Sequence, residues 1–393
     1  MKNWLISVKN RTIIWNNLKF ILRQIRIRSQ HPIRFFIPST LIREKDEPDA
    51  FRLKMVNLRI SSSHASLIIM KIETTPEYID LLNKAVAREI QVSVQYMIQH
   101  TKMEKLLRRI ITENIVNEET TYHKFGDILK KFAIEEMKHL GTIMERIYLL
   151  GGDATTKPSK IEIGETMKEM AILNVKAEEE ALELYDSIIK MAGKLGDRET
   201  RRLFVKIYSD EEEHLIIFNE YIEMEDEPQV PDPPESEWRS IFTQDYIDML
   251  NEALWSEISA IIQYTNQHEK ASKDKHRIKK EPLEVITTAN KASIISDLLK
   301  PVFMEEMEHF EHIAERIFEV DREALANVKP LPEIGAAPDS WIRLDRDAED
   351  YAITLYRKII SKANELGDIT TKKLFEDILM QEEEHYWTFD EYL

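Results

Sequence analysis

Two stretches of the chain, YIDLLNKAVAREIQVSVQYMIQH at 78–100 and YIDMLNEALWSEISAIIQYTNQH at 246–268, share 12 of 23 residues at an offset of 168. The match continues along the sequence. Glu136 and Glu306 lie 170 apart, Glu-Ile-Gly at 162–164 recurs at 333–335, Leu-Gly-Asp at 195–197 recurs at 366–368, and Glu-Glu-Glu-His at 211–214 recurs at 382–385. A nearly constant offset means two homologous units with a small insertion in the second. Whatever one unit folds into, the chain must build twice. The pattern divides the sequence into a basic N-terminal extension (1–73), a first unit (74–226), a Pro-rich acidic linker (227–240) and a second unit (241–393). Within the linker, Pro228, Pro231, Pro233 and Pro234 stand among acidic residues, a composition that favours a stiff, extended segment.

Each unit carries Glu-x-x-His twice: Glu136/His139 and Glu211/His214 in the first, Glu306/His309 and Glu382/His385 in the second. A Glu and a His three apart project from one face of a helix, so each pair can grip one cation, and two facing pairs can hold two. The four pairs therefore suggest two dinuclear metal sites. The competing reading is a set of ordinary surface ion pairs, and it fails to account for recurrence in register across two units.

Only nine glycines and long periodic segments argue for a mostly helical chain, and each unit reads as four helices. The first helix opens near Pro76 in one unit and Thr243 in the other. The second runs through the first Glu-x-x-His, and Gly151-Gly152 end it in the first unit. No helical pattern follows until Ile163, and twelve extended residues reach about 40 Å, the length of a bundle. Such a crossover lets helices two and three run parallel. Gly196 then Asp197, and Gly367 then Asp368, read as the end of helix three and the cap of helix four. The expected fold is all-α: two four-helix bundles in tandem, each with a long crossover between helices two and three.

A dinuclear carboxylate site needs one further Glu from each of the other two helices. Helix one offers Glu89 and Glu257, each interrupting an apolar flank where an unpaired carboxylate is costly. Helix three offers Glu178 and Glu349, aligned at an offset of 171. Four carboxylates against two Fe(II) make a loaded site close to neutral, and without metal they repel and take up protons. Glu and His together suit iron or manganese, and also zinc. With no Cys in the chain, zinc-thiolate sites, iron–sulfur clusters and Cys nucleophiles are excluded. Tyr96 and Tyr264, seven past the helix-one Glu on the same face, are candidates to bond a ligand carboxylate or support radical chemistry, or are core tyrosines. His100 and His268 read as helix-end residues in preference to the lining of an entry path, and His123 and His312 as surface.

Charge is unevenly spread. Residues 1–70 carry 13 Lys/Arg against four Asp/Glu, while the whole chain has a net charge of −17. The acidic body argues against a nucleic-acid partner, and no apolar run is long enough to span a membrane. The extension reads as a targeting segment, a basic arm, or residues ahead of a true start at Met70.

Several motifs together resemble bacterioferritin, of the ferritin-like superfamily. They are Glu89 with Gln95-Tyr96, Glu257 with Gln263-Tyr264, Glu-Glu-Met-Lys-His at 135–139, Glu-Glu-Met-Glu-His at 305–309, and Met-Glu-Arg-Ile at 144–147. The resemblance covers nearly all of 74–393. It implies a first di-iron site at Glu89, Glu136, His139, Glu178, Glu211 and His214, and a second at Glu257, Glu306, His309, Glu349, Glu382 and His385. It implies Glu136 with Glu211, and Glu306 with Glu382, as bridging ligands. Met137 and Met307 match the Met that ligates haem between two subunits, which implies one haem across an intramolecular pseudo-dimer or, alternatively, two apolar interface contacts. Ala181 and Ala352 stand where rubrerythrins carry a further Glu.

Three features depart from the family. The ligands of helices one and two lie 47 and 49 apart, longer than its pattern, so those helices or their loop must be extended. Neither unit shows the short fifth helix, and the units are fused, which puts a storage cage in doubt. The implied activity is a ferroxidase in the cytoplasm that oxidises Fe(II) with O2 or hydrogen peroxide, as a homo-oligomer or pseudo-dimer. The alternatives are a non-storing di-iron or di-manganese oxidase or peroxidase, a haem-binding electron-transfer bundle, and a non-enzymatic scaffold.

Overall fold

The computed structural model describes residues 31–35, 56–60, 74–112, 119–223, 237–277, 283–320, 322–324 and 331–393. Eight helices make up the body among these: α1 (Pro76–Thr112), α2 (Glu119–Leu150), α3 (Met167–Leu195), α4 (Arg198–Ile222), α5 (Gln244–Arg277), α6 (Leu283–Glu319), α7 (Pro338–Leu366) and α8 (Ile369–Asp390). They form two ferritin-like bundles in tandem, α1–α4 and α5–α8. No described helix is long and apolar enough to cross a membrane. In the separate unit formed by residues 1–71, the described residues pair as β1 (His31–Phe35) antiparallel to β2 (Val56–Ile60), a hairpin outside the all-α expectation. Alternation of Arg34 and Arg59 with apolar neighbours has the two-residue period of a strand. The readings of residues 1–30, 36–55 and 61–73 lie outside the described residues, as do those of 224–236, which hold the linker prolines; Glu237–Ile241 is a short 3-10 turn.

The helix boundaries follow local chemistry. Thr75 precedes Pro76, and its hydroxyl accepts from Tyr78 N at 3.3 Å, so the first turn of α1 is capped where proline's missing N–H costs nothing. Gly196 ends α3 with φ 70° and Gly367 ends α7 with φ 74°, left-handed conformations that a side chain would oppose. One residue later Asp197 and Asp368 cap α4 and α8 by accepting from Thr200 N and Thr371 N. The second α3 boundary is Thr166, whose hydroxyl accepts from Glu169 N.

The crossover of the first bundle runs along α1 and is held by it. Asn83 accepts from Thr155 N at 2.8 Å, Ser159 N donates to Ala87 O at 2.8 Å, Gln95 accepts from Glu162 N at 3.1 Å, and Gln99 donates to Ile163 O at 2.9 Å. An extended segment with no sheet partner thereby satisfies part of its backbone on a helix face. The long ligand spacing resolves into long helices: α1 and α2 have 37 and 32 residues against 29 and 25 for α3 and α4. His100 consequently lies inside α1, not at its end; its Nδ1 faces Gly126 O at 2.9 Å and its Nε2 faces Glu311. The same correction applies to His268, well within α5 and bonded to Ser296 O.

The two bundles pack through their first two helices, α1 against α6 and α2 against α5. Apolar side chains fill the centre of that contact, among them Ile90, Val94, Leu140, Ile258, Ile262 and Phe310. Ion pairs surround it, including Lys130–Glu311 at 2.6 Å, Lys102–Glu323 at 3.1 Å and Lys270–Asp153 at 3.3 Å.

Candidate metal centres

Each bundle gathers six of the predicted side chains at its core. Helix α1 supplies Glu89, α2 Glu136 and His139, α3 Glu178, and α4 Glu211 and His214; α5 to α8 supply Glu257, Glu306, His309, Glu349, Glu382 and His385 in the same order. All twelve are buried. They fall into four groups of four whose donor atoms lie within 4.8 Å of one another: Glu89, Glu136, His139, Glu211; Glu136, Glu178, Glu211, His214; and the two equivalents in the second bundle. Glu136 and Glu211 belong to both groups of the first bundle, and Glu306 and Glu382 to both of the second.

The imidazoles define two positions in each centre. His139 Nδ1 lies 2.9 Å from Glu136 Oε2 and 3.4 Å from Glu211 Oε1, while His214 Nδ1 lies 2.9 Å from Glu136 Oε1 and 3.2 Å from Glu211 Oε2. Each shared carboxylate thus turns one oxygen to each histidine, the disposition a bridging ligand requires. The second centre repeats this with His309 Nδ1 at 3.0 Å from Glu382 Oε1 and His385 Nδ1 at 3.1 Å from Glu306 Oε1. Glu89 Oε2 is buried and accepts no hydrogen bond, and the buried Glu136 Oε1, Glu306 Oε1 and Glu382 Oε1 face no donor other than a histidine Nδ1. Buried oxygens with spare lone pairs, aimed into a cluster of imidazoles, are the donor set of a cation site.

Burial and mutual repulsion set the charges. Burial, then the carboxylates of Glu136 and Glu211, push Glu89 well above the usual carboxylate range, and Glu178 rises for the same causes. Burial opposes ionisation of Glu136 too, but hydrogen bonds with His139 and His214 win and hold it well below its ordinary value. Burial likewise pulls down His139 and His214, and their bonds to Glu136 and Glu211 overcome it, lifting them to about 12 and about 11. In the second centre His385 rises to about 11 by the same balance. Protons on the imidazoles thus offset part of the carboxylate charge.

Every imidazole is oriented from behind. His139 Nε2 faces Asp210 Oδ2 at 3.3 Å, His214 Nε2 faces Glu135 Oε2 at 3.2 Å, His309 Nε2 faces Gln381 Oε1 at 2.9 Å, and His385 Nε2 faces Glu305 Oε2 at 2.9 Å. These partners keep Nδ1 pointed inward. Tyrosines hold the remaining carboxylates. Tyr96 donates to Glu178 and Tyr264 to Glu349, so each reaches helix three, not the Glu of its own helix. Tyr185 and Tyr356 complete the exchange by donating to Glu89 and Glu257. These two were missed by the sequence reading, although the signal that singled out Tyr96 was available: Tyr185 lies seven past Glu178, as Tyr96 lies seven past Glu89.

Not everything recurs. Arg88 Nη2 lies 3.0 Å from Glu178 Oε2, both side chains buried, and the second copy has Ser256 in its place. Met137 and Met307, half-buried, line a single apolar cleft between the bundles. Ser93 is the one polar residue on its wall. His123 and His312 are exposed, as expected.

A ferritin-like domain model matches residues 79–226 and 294–393. Bacterioferritin of Desulfovibrio desulfuricans is 31% identical over 141 residues, which cover 36% of this chain and 71% of that protein. Bacterioferritin of Rhodobacter capsulatus is 32% identical over 140 residues, covering 35% of this chain and 76% of that protein. Among solved structures, the X-ray structure of the Desulfovibrio desulfuricans bacterioferritin, described as showing the diiron site in different catalytic states, aligns at 29% identity and a TM-score of 0.33, covering 37% of this chain and 78% of that one.

Proposed function

The chain belongs to the ferritin-like family as a tandem bacterioferritin-like protein, and from that premise we propose that each bundle is a di-iron ferroxidase centre. It oxidises Fe(II) with O2 or peroxide in the cytoplasm, for iron sequestration and protection from oxidative stress. The observation that carries this reading is the six-residue cluster built twice, with buried carboxylate oxygens that face one another and the histidine Nδ1 atoms.

The residues would divide the work as follows. Glu136 and Glu211 each offer one oxygen to each position and would bridge two ions, as would Glu306 and Glu382. Glu89 with His139, and Glu178 with His214, would complete the two positions of the first centre; Glu257 with His309, and Glu349 with His385, those of the second. Iron bound there would supply the one-electron steps of Fe(II) oxidation. Binding requires Nδ1 of each histidine to give up its proton, and Asp210, Glu135, Gln381 and Glu305 hold the opposite nitrogen so that the ring stays in place. The tyrosine hydroxyls each fix one oxygen of Glu89, Glu178, Glu257 and Glu349 and so hold these side chains in place. Manganese is the competing occupant, since carboxylate and imidazole donors accept both metals.

Addition of Fe(II) to the metal-free chain under air should consume O2. The single variants E136A and E306A should each retain the activity of one centre, and the double variant should fall to background. Unchanged O2 uptake in the double variant would overturn the assignment. Iron uptake beyond the four positions per chain would distinguish a storage role from a non-storing oxidase or peroxidase.

A further inference from the structure

The two centres each carry the same six kinds of proposed ligand and the same two tyrosines, yet their carboxylates do not face the same charge. In the first, Glu178 is engaged at both oxygens: Tyr96 donates to Oε1 and Arg88 Nη2 donates to Oε2 at 3.0 Å. Arg88 is 5% exposed and Glu178 is fully inaccessible. In the second, Glu349 receives the Tyr264 hydroxyl and, among the described residues, no Arg or Lys side chain. The difference at this Glu traces to one position, since Arg88 precedes Glu89 as Ser256 precedes Glu257.

We infer that Arg88 makes the two centres unequal: the position served by Glu178 and His214 takes a divalent cation more weakly than its counterpart at Glu349 and His385. This rests on the reading of both clusters as metal centres. Two divalent ions balance the four carboxylates of either centre, and Arg88 adds one buried positive charge to the first; Asp210, which stands behind His139 where the second copy has Gln381, is 38% exposed and belongs to the other position. Burial keeps solvent and salt from screening the charge of Arg88. The effect is local, because Glu178 belongs to one of the two donor groups of its centre and not to the group of Glu89 and His139. Arg88 also engages Oε2 of Glu178, while Oε1 is the oxygen that faces His214 Nδ1, at 3.8 Å. It acts as a positioning residue through Glu178, and its sign is opposite to that of the carboxylate partners behind the histidines.

The expected stoichiometry is three tight ions per chain and one weak one. The weak ion should bind less tightly by about 10- to 100-fold, the range over which outer partners alter metal affinity. The test is titration of the metal-free full chain with Co(II), read by the visible absorption of the bound ion and by equilibrium dialysis, with circular dichroism and melting as checks on folding. R88S installs the residue that the second copy itself carries, and R88Q removes the charge while keeping bulk and a hydrogen-bond donor. Both variants should bind four ions with one affinity class. Four equivalent ions in the unsubstituted chain would overturn the inference, as would a weak fourth ion that persists in R88S and R88Q. Binding of no ion beyond adventitious levels by any of the three would overturn the metal-centre reading itself, a result distinct from the other two.

Discussion

Asp345 occupies the place that Asn174 holds in the first copy, one helical turn before the helix-three Glu. Asn174 accepts from Gln95 at 2.9 Å and donates to Gln99 Oε1 at 2.7 Å. Asp345 accepts from Gln263 at 2.7 Å, but its Oδ2 and Gln267 Oε1, the equivalents of the second pair, are both acceptors and both lack a donor. A proton on Asp345 supplies the missing donor and makes the side chain an analogue of asparagine. Burial pushes its carboxyl up to about 8, against the pull of its glutamine partners. A group with a folded-state value above its ordinary one of about 4 is protonated in the fold and ionised in the unfolded chain, so stability falls as pH rises between those values, by about 1.4 kcal/mol per unit. D345N should therefore be more stable than the unsubstituted chain near neutral pH, and the two should converge toward acid. Urea unfolding of the metal-free proteins across that range checks this; parallel profiles would mean that Asp345 is ionised in the fold. The same contrast explains what was legible at this scale. The ligand set could be read because reasoning from an internal repeat keeps what both copies share. That filter discards what differs between them, and Arg88, Asp345 and Gln381 differ. Tyr185 and Tyr356 do recur, and were missed because a tyrosine seven past a helix-three Glu points across the bundle to a partner nearly a hundred residues away.

The junctions between helices three and four are where sequence and element agree most closely, and they are held by more than a cap. Asp197 accepts from Thr200 N at 3.1 Å, from Arg146 at 2.7 Å and from Tyr78 at 3.0 Å, so one carboxylate joins α1, α2 and α4. Asp368 repeats this with Thr371, Arg316 and Tyr246. D197A would remove the cap and strand a guanidinium and a phenol, at a cost of about 3 kcal/mol. D368A should cost a similar amount, and a shift of either urea midpoint equivalent to less than about 1 kcal/mol would show that the network relaxes onto water. Helix ends were legible because Gly, Asp and Pro act through their own backbone geometry. The long ligand spacing could be noticed but not assigned to helix or loop, since extending α1 and α2 is stabilised by a surface belonging to the other bundle.

At the scale of the whole molecule, fusion makes the bundles partners without requiring a second chain. The face between them joins an apolar centre to pairs in which His100, Lys102, Arg108 and Lys130 of the first copy meet Glu311, Glu315, Glu319 and Glu323 of the second. The exposed pairs contribute little individually, so the buried apolar contact and the half-buried Lys130–Glu311 pair carry the association. Each proposed centre in turn joins all four helices of its own bundle, so ion binding should stabilise the fold, by about 2.7 kcal/mol per ion at a hundredfold excess over the dissociation constant. If the shared face couples the bundles, stabilisation of one is felt by both. Calorimetric scans of the full chain should then show one transition without metal and one at a higher temperature with Zn(II). E306A, which lacks a ligand common to both positions of the second centre, should still melt in one transition, with a smaller shift on adding Zn(II). Two transitions in E306A, only one of them moved by the metal, would show instead that the bundles unfold independently and that the face between them is too weak to couple the centres.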